Sequence, residues 1–239
     1  MVGGAALLKD LRVDPRVTVA RLAAWVGAQP GGTVVFGTAY LGFDGNRAHT
    51  SRGPIDAQRV IVCVGHDLDH LYPALAEEHE VQRCALQMAR TADPGAVVTP
   101  AVLTATSLLR YPAFAETTAA AALRTRMEED RPDLLDIDAN VMFTQRPDGT
   151  LLIGDSHHTG RTVDPFLDEA VTETLRAETA RVLGVDGLRI IERWQGVYAS
   201  SPLRPYLVAD PEERLSVRVV TSGVGMTIAH GLARRHFPS

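Results

Sequence analysis

A glycine pair near the carboxyl end of the chain is the first candidate for chemistry. Gly223 and Gly225 follow a strand-like run, 218–220, and precede Thr227–Arg235, which lacks proline and ends in basic residues, as a helix does. Glycine allows a positive φ and a close approach to the backbone. Free N–H groups at a helix start bind anions or partly negative ring oxygens. The run Gly223–Thr227 is therefore either a ligand-binding turn or an ordinary structural turn, and its context must decide.

A histidine after a predicted strand is the second candidate. His157 stands beside Asp155 and Ser156, and three interpretations stay open. A metal ligand would need partners at suitable spacing, and none is evident in the sequence. A structural or solvent-facing histidine is the common case, and a histidine in a substrate cleft could orient an anionic group or tune an amine's protonation. A Ser156–His157 nucleophile pair is disfavoured, because neighbours on an extended strand point to opposite faces.

An arginine–tyrosine pair is the third candidate. Arg110 and Tyr111 follow an apolar run and precede a proline. The arginine could form a surface salt bridge, or its guanidinium fork could hold a carboxylate or a phosphonate. The two cysteines, Cys63 and Cys84, match no metal spacing, and Cys63 is predicted to be a buried strand residue. The sequence therefore predicts no metal site.

The predicted elements that position these candidate residues are both helices and strands. This mixture indicates an α/β (α+β) fold. Helices are predicted to begin at Asp14-Pro15 and Asp164-Pro165, with Phe166 on the inner side of the latter, and to cover 116–129. Strands are predicted from alternation, β-branched residues and flanking turns at 33–36, 40–43, 47–50, 59–64, 80–90, 101–110, 140–144, 151–153 and 188–198.

Composition narrows the class of protein. The 239 residues suffice for one large domain or two small ones, with 45% hydrophobic and 22% charged residues. A net charge of −5 with interspersed signs gives no case for binding nucleic acid or an anionic membrane. No apolar run approaches the ~20 residues of a membrane span, and no signal-peptide pattern is present. We expect a reduced, cytoplasmic protein.

Seven segments, taken in order, resemble the FAD-dependent amine and amino-acid oxidase superfamily of D-amino-acid oxidase, glycine oxidase and sarcosine oxidase. The chain most resembles a subgroup found beside phosphonate-degradation functions. The matching segments are Val13-Asp14-Pro15-Arg16, Arg59–Gly65, Gln87-Met88, Leu109-Arg110-Tyr111, Gly154-Asp155-Ser156-His157, Glu192–Tyr198 and Thr221–Gly225.

The resemblance implies an FAD domain made from residues 11–73 and 204–239 and an antiparallel-sheet substrate domain at 74–203. It implies contacts with the adenine at Tyr40, with the dinucleotide at Cys63, Val64 and Gly65, and with the flavin's pyrimidine edge at Gly223, Val224, Gly225, Met226 and Thr227. Substrate contacts are expected at Arg110, Tyr111, His157 and Tyr198. Because the cysteine of relatives with covalent flavin is missing near Tyr198, the FAD should be bound non-covalently.

The sequence departs from the family's pattern at its start. The strand, G-x-G-x-x-G turn and helix that bind the dinucleotide are not found, so we expect an incomplete, truncated Rossmann-like domain. The strands at 60–64 and 219–220 should then lack neighbours, and exposed edges favour self-association or pairing with another polypeptide. The family's carboxylate-binding arginine is also missing after Trp194, which disfavours a standard α-amino-acid substrate.

Two functional hypotheses follow. The first is an FAD-dependent oxidoreductase acting on a C–N bond of a small amine or amino acid, with an aminophosphonate among the candidate substrates. Its activity is conditional on the missing dinucleotide-binding half. The alternative is a non-catalytic remnant or interaction subunit that binds no FAD, and an unrelated α+β binding module is a third interpretation.

Overall fold

The structure, a computed structural model, describes residues 3–237 and divides into two compact units. The first unit comprises the residues up to Arg21, Ala85–His158 and Asp164–Gly196. The second comprises Leu22–Cys84, Thr159–Val163 and the residues from Val197 onward. The predicted fold class, mixed helices with antiparallel sheets, is confirmed.

Runs of consecutive strands and runs of consecutive helices follow one another along the chain. The helices are α1 (Pro15–Gly27), α2 (Leu68–Leu71), α3 (Pro73–Glu78), α4 (Ala105–Arg110), α5 (Pro112–Ala115), α6 (Thr118–Asp130), α7 (Pro132–Asp136), α8 (Glu169–Leu183) and α9 (Gly225–His236). The strands are β1 (Tyr40–Phe43), β2 (Arg47–Thr50), β3 (Gly53–Asp56), β4 (Val60–Val62), β5 (Gln82–Thr91), β6 (Val102–Leu103), β7 (Met142–Gln145), β8 (Leu151–Gly154), β9 (His158–Gly160), β10 (Ile190–Ser200), β11 (Tyr206–Glu212) and β12 (Leu215–Val220). None of the described helices is long and apolar enough to cross a membrane.

The first unit is built on a sheet with the strand order β10-β5-β8-β7-β6. Strands β7 and β8 pair antiparallel, with Phe143 opposite Ile153, as the predicted hairpin at 140–153 requires. Helix α8 covers this sheet, and Ala180 packs into the same buried cluster as Phe143 and Ile153. Helix α7 ends at Asp136, close in sequence to the strand β7, and this connection carries polar residues of the candidate site.

The second unit contains a three-stranded sheet in the order β11-β12-β4, beside a separate antiparallel meander of β1, β2 and β3. Strand β12 pairs antiparallel with β11 and parallel with β4. Val62, Val217 and Val219 form part of its buried core. Residues 219 and 220 pair with Leu207 and Tyr206 of β11, whereas the pairing of β12 with β4 covers only residues 215–217. Strands β4 and β11 are the edges of this sheet, and Ile61 of β4 is 43% exposed.

Three predicted elements are corrected. The run 33–36 forms no strand, and its Phe36 is 76% exposed. Within 101–110 only β6 is extended, and the rest is the helix α4, because a short apolar run does not distinguish helix from strand. Helix α8 begins four residues later than predicted, since Asp168 rather than Asp164 accepts a hydrogen bond from the amide of Ala170.

Candidate functional site

A pocket of about 500 Å³ lies within the second unit, between α9 and the face of the β4–β12 sheet. Six of the residues predicted to bind cofactor or substrate line it. These residues are Cys63, Gly65, Tyr198, Gly223, Gly225 and Met226. Its remaining walls are mostly apolar, and the size lies within the usual range for small-molecule sites.

The turn at Gly223 has a backbone conformation that favours glycine. Gly223 has φ 74°, and a Cβ added there would lie 3.1 Å from Cζ of Tyr198. The preceding residues fix the turn, because Thr221 Oγ1 donates to the carbonyl of Arg204 at 2.5 Å and Ser222 Oγ to that of Pro205 at 2.9 Å. The turn thus brings the backbone against the Tyr198 ring at the pocket wall.

Helix α9 begins at the wall of the pocket. The cap residue Val224 supplies no side-chain acceptor, and its carbonyl accepts from the amides of Thr227 and Ile228. The amides of Gly225 and Met226 belong to the helix's first turn, where the dipole is positive. Both residues line the pocket, so a partly negative ring edge would be stabilised there.

Alanine at the two glycines should have unequal effects on stability. Gly223→Ala should lower the free energy of unfolding by about 2 kcal/mol, because a side chain at positive φ is strained and its Cβ meets the Tyr198 ring. Gly225→Ala is the matched control, since its Cβ would lie 3.9 Å from Cβ of Val220, an ordinary contact. Urea unfolding of both variants measures the difference, and equal stabilities would contradict it.

The pocket also contains residues that the sequence reasoning missed, namely His66, Arg218 and Phe237. The Arg218 guanidinium lies 5.4 Å from the centre of the Phe237 ring and donates to Asp210 Oδ1 at 3.0 Å. Alternation along β12 could have revealed it, because Arg218 stands between the buried Val217 and Val219 and so faces the other side of the sheet.

Cys63 requires a correction. It was predicted to be buried, but it follows the end of β4 and is exposed. An edge strand with one open face leaves alternate residues uncovered, and Ile61 is exposed for the same reason. The surrounding protein still raises the pKa of the Cys63 thiol by desolvation, an effect that the nearby Arg218 charge partly opposes.

Four predicted cofactor residues do not line the pocket: Tyr40, Val64, Val224 and Thr227. The Tyr40 hydroxyl lies 2.7 Å from that of Tyr72, and desolvation together with this hydrogen bond raises the pKa of Tyr40. Tyr40 and Val64 pack against the core of the second unit. Val224 and Thr227 belong to the glycine turn and the first turn of α9.

Arg110, Tyr111 and His157 meet in a polar cluster of the first unit, and Asp138 is its hub. Asp138 follows α7 with φ 44°, a left-handed conformation that aspartate tolerates better than most residues. Its carbonyl lies 2.9 Å from Nδ1 of His157, and its carboxylate accepts from Arg110 at 2.9 Å. One residue thus fixes both the imidazole and the guanidinium.

Asp155 is the buried acid of this cluster. Its side chain is 8% exposed, that of His157 is 4% exposed, and Oδ1 lies 3.7 Å from His157 Nδ1. Among the described residues Oδ1 has no hydrogen-bond partner. Burial raises the pKa of Asp155 to about 7, against the opposing charge of Arg110. Burial, followed by the Arg110 charge, lowers the pKa of His157 to about 4.

The buried side-chain amide of Asn140 connects Ser107 and Tyr111 to this polar cluster. The side chain of Asn140 accepts from Ser107 Oγ at 2.6 Å and donates to the Tyr111 hydroxyl at 3.3 Å. The backbones of Asn140 and Asp155 exchange two hydrogen bonds, of 2.8 and 3.0 Å. Sequence reasoning passed over Asn140, Asp138 and Asp155 because they are brought together only by the pairing of β7 with β8. Within residues 3–237, no group of three or more histidine, cysteine, aspartate or glutamate side chains is arranged to hold a metal ion.

Comparison with known proteins decides the family. The sequence model of the family described as DAO, FAD dependent oxidoreductase, matches residues 1–235. The chain belongs to this family. Among functionally curated proteins, none matches the sequence.

Three proteins of known structure have a similar fold. Glycine oxidase from Geobacillus kaustophilus is 15% identical at a TM-score of 0.55, over 79% of this chain and 44% of that one. L-proline dehydrogenase from P. horikoshii is 16% identical at a TM-score of 0.58, over 82% of this chain and 47% of that one. Iminodiacetate oxidase from Chelativorans sp. BNC1 is 17% identical at a TM-score of 0.55, over 82% of this chain and 47% of that one. This chain therefore spans less than half the length of these proteins.

The residues present fit one part of the family's cofactor. The glycine turn that a Cβ would fill, the first-turn amides of α9 and the apolar pocket suit a planar ring with a partly negative edge. The described residues offer no G-x-G-x-x-G turn for a pyrophosphate, since the third position after Gly225 is Ile228. The fit covers the flavin ring and not the phosphates.

Proposed function

We propose that this protein takes part in the FAD-dependent oxidation of a C–N bond in a small amine or amino acid that carries an acidic group. One observation carries the proposal: a chain of the FAD-dependent oxidoreductase family places the positive-φ turn at Gly223 and the start of α9 at an apolar pocket of about 500 Å³. When bound, the flavin supplies the hydride acceptor, and the protein supplies orientation and charge.

The proposed cofactor contacts extend beyond the pocket, which five of the nine residues concerned line. The backbone from Gly223 to Thr227 would face the flavin's pyrimidine edge, where the helix dipole favours negative charge. Cys63, Val64 and Gly65 would lie along the dinucleotide, and Tyr40 would meet the adenine. The FAD is proposed to be non-covalent.

The proposed substrate contacts are Arg110, Tyr111, His157 and Tyr198. A guanidinium suits a carboxylate or phosphonate, because its planar fork can donate two parallel hydrogen bonds. In this structure Asp138 accepts from Arg110, so a substrate anion would share or displace that contact. An aminophosphonate is one candidate because it carries both an amine and such an anion.

The open edge of β4 is the proposed place where the phosphate-binding half attaches. The Val60 amide donates toward β12, to Arg214 O at 2.8 Å, so the backbone groups of Ile61 face the opposite edge. Parallel strands are normally flanked by further strands and covered on both faces. We propose that a polypeptide segment with a strand and a G-x-G-x-x-G turn pairs there, whichever chain supplies it, and that residues 11–73 and 204–239 complete the FAD domain around a substrate domain at 74–203.

The open edge also supports a second candidate function. A chain whose β4 edge pairs with another copy or another protein, and whose pocket takes up no flavin, would act as a non-catalytic interaction subunit. The two candidates differ in one measurable property, which is the retention of FAD.

Flavin retention tests the proposal directly. The purified protein is incubated with FAD and desalted, and the flavin absorbance that stays with the protein is measured. We expect retained, acid-extractable flavin in wild type, and at least a tenfold loss of affinity in Gly223→Ala, corresponding to ~1.4 kcal/mol. A protein that stays colourless in every case would favour the interaction subunit.

A further inference from the structure

We propose that the open face of the first unit's sheet carries a binding site for a small oxyanion, formed by Arg90, Thr144 and Arg146, where the chain's own Asp14 carboxylate takes the place of the ligand. The segment 12–16, which crosses this face and leads into α1, is called the strap. Strap and sheet both belong to the first unit. The site is independent of the proposed oxidation and can be tested without flavin.

Strand pairing places the three donor residues on one face of the sheet. Arg90 of β5 lies opposite Leu152 of β8, and Leu152 lies opposite Thr144 of β7. Arg146 is two residues beyond Thr144, and its amide donates to the Thr150 carbonyl, so the pairing and the alternation of sides continue to it. The residues that alternate with them along these strands pack into the core beside α8. The donors therefore lie on the face that α8 leaves open.

The three residues hold hydrogen-bond donors that the fold does not use. Arg90 Nε, Thr144 Oγ1 and both Nε and Nη1 of Arg146 are buried, and none has a hydrogen-bond partner among the described residues. They are four of the eight such side-chain atoms in residues 3–237, so the unused donors are concentrated here. A buried donor without an acceptor is costly, and a ligand that offers acceptors to several of them at once is favoured.

Asp14 supplies charge to these donors but no good hydrogen bond. Its Oδ2 lies 3.4 Å from Arg146 Nη1, and its Oδ1 accepts from the amide of Arg16 at 3.0 Å. Asp148, in the hairpin turn, lies 3.9 Å from Arg146 Nε. A free oxyanion has no backbone to restrain it and can reach the distances of about 2.7–2.9 Å that such charged hydrogen bonds prefer. Asp14 is therefore an acceptor that a ligand can displace.

The strap is fastened by side chains. No backbone–backbone hydrogen bond joins residues 11–13 to the rest of the described chain. Arg12 donates to the Thr99 carbonyl at 3.1 Å, in an exposed contact, and Leu11 is 92% exposed. Partly exposed ion pairs such as that of Asp14 contribute little to stability. Lifting the strap therefore costs little, and it opens the donors to solvent.

Glu192 connects the donors to an indole that can report on the site. It accepts from Arg90 Nη2 at 2.7 Å, and its other oxygen lies 3.8 Å from Arg16 Nη2. The Arg16 guanidinium lies 5.5 Å from the centre of the Trp194 ring, within the range of a cation–π contact. An oxyanion that displaces Asp14 shifts Arg16, two residues along the strap, relative to Trp194.

The charges on this face are balanced while Asp14 is in place. The groups are Arg16, Arg90 and Arg146 with Asp14, Asp148 and Glu192. Hydrogen bonds from Thr150 lower the pKa of Asp148, and the charges of Arg146 and Arg90 lower it further, so both guanidinium groups act on the same turn. Displacement of Asp14 leaves one positive charge in excess. Donors from two strands suit the spread oxygens of a phosphate group better than the two coplanar oxygens of a carboxylate.

Tryptophan fluorescence of the full chain tests the site. The variant Trp25→Phe leaves Trp194 as the only tryptophan. It is titrated with inorganic phosphate or with acetate, and sodium chloride keeps the ionic strength constant. We expect a saturable change of emission with phosphate and weaker binding of acetate. Acetate that binds as tightly as phosphate would overturn the assignment to phosphate.

Three variants in this background separate a binding site from a structural ion pair. Arg146→Gln should weaken phosphate binding about tenfold, because it removes the guanidinium that carries two of the donors. Asp14→Asn keeps the size of the side chain but removes the competing charge, so phosphate should bind at least about threefold more tightly. Arg126→Gln is the matched control, because it removes a positive charge from an exposed ion pair with Asp130 on α6 and should leave the titration unchanged.

Nuclear magnetic resonance of the unaltered, ¹⁵N-labelled chain is the second measurement, and it needs no variant to fold. The Nε–H signals of Arg90 and Arg146 should shift together along one phosphate-binding curve. The inference is overturned by signals that do not respond, by a response that chloride reproduces, or by an Asp14→Asn variant that binds phosphate no more tightly than its background. Flavin takes no part in these measurements, so a failure of the proposed function is distinguishable from a failure of this site.

Discussion

Replacing Asp155 with Asn should make the protein lose stability on acidification, in a pH range where the wild type does not. The reason is His157, whose pKa falls from 6.5 to about 4 in the folded protein. Its contribution to stability is present above pH 6.5 and is lost as the pH falls toward 4, since the unfolded chain then binds the additional proton. The free energy of unfolding of Asp155→Asn should therefore decrease over that interval.

His157→Gln should show the opposite slope. The pKa of Asp155 is raised from 3.8 to about 7 in the folded protein, so the folded state holds a proton that the unfolded chain releases. This contribution is full below pH 3.8 and is lost as the pH rises through 7. His157→Gln should become less stable from about pH 4 to about pH 7.

In the wild type the two proton differences oppose each other between pH 4 and 6.5, so this pair adds little net slope. Each single variant should expose a slope of up to about 1.4 kcal/mol per pH unit, or roughly 3 kcal/mol over the interval. Urea unfolding at a series of pH values measures it. The double variant is the control and should recover the wild-type profile; single variants with that same profile would contradict the shifted pKa values of Asp155 and His157.

Removing the guanidinium of Arg131 should have the largest effect among the surface-reaching charges of the first unit. Glu178 on α8 is 5% exposed at its side chain and accepts from both Arg131 and Arg181. Burial alone would raise the pKa of Glu178, but the hydrogen bonds from the two arginines outweigh it and lower the pKa. Arg131→Met would leave a buried carboxylate short of a partner, which costs about 3 kcal/mol.

Replacing Arg131 should also disturb the polar cluster around Asp138. Arg131 precedes α7 and holds Asp133 of that helix with two hydrogen bonds, of 2.9 and 2.7 Å. The other end of α7 leads to Asp138, the hub that holds His157 and Arg110. We therefore expect Arg131→Met to broaden the His157 ring signals as well.

Two further variants test whether the unpaired Glu178 carboxylate causes the loss of stability in Arg131→Met. Arg181→Met removes the other partner of Glu178, but its side chain is 65% exposed, and the loss should be about 1 kcal/mol or less. Arg131→Met combined with Glu178→Leu should recover most of the stability, because no buried charge is then left unpaired. Equal losses for the two arginine variants, measured by urea unfolding, would contradict this account.

The sequence by itself determined those secondary-structure elements that depend on residues adjacent in the chain. The strand, turn and helix from β12 to α9 followed from β-branched residues, Gly223 and a proline-free stretch. The hairpin of β7 and β8 followed from alternation and the turn at Pro147-Asp148-Gly149. The order of such segments also determined the family, because each is local and their sequence along the chain is specific.

Only the tertiary structure decided how polar residues distant in the chain are used. Asp155 and Asp138 have no signal of their own, and they became a buried acid and a two-sided anchor because β7 pairs with β8 while α4 ends beside them. Cys63 was wrongly predicted to be buried because burial depends on whether another element covers that face of the sheet, which composition does not reveal. Local propensity selects helices and turns, whereas desolvation and charge pairing depend on what the folded chain brings alongside each group.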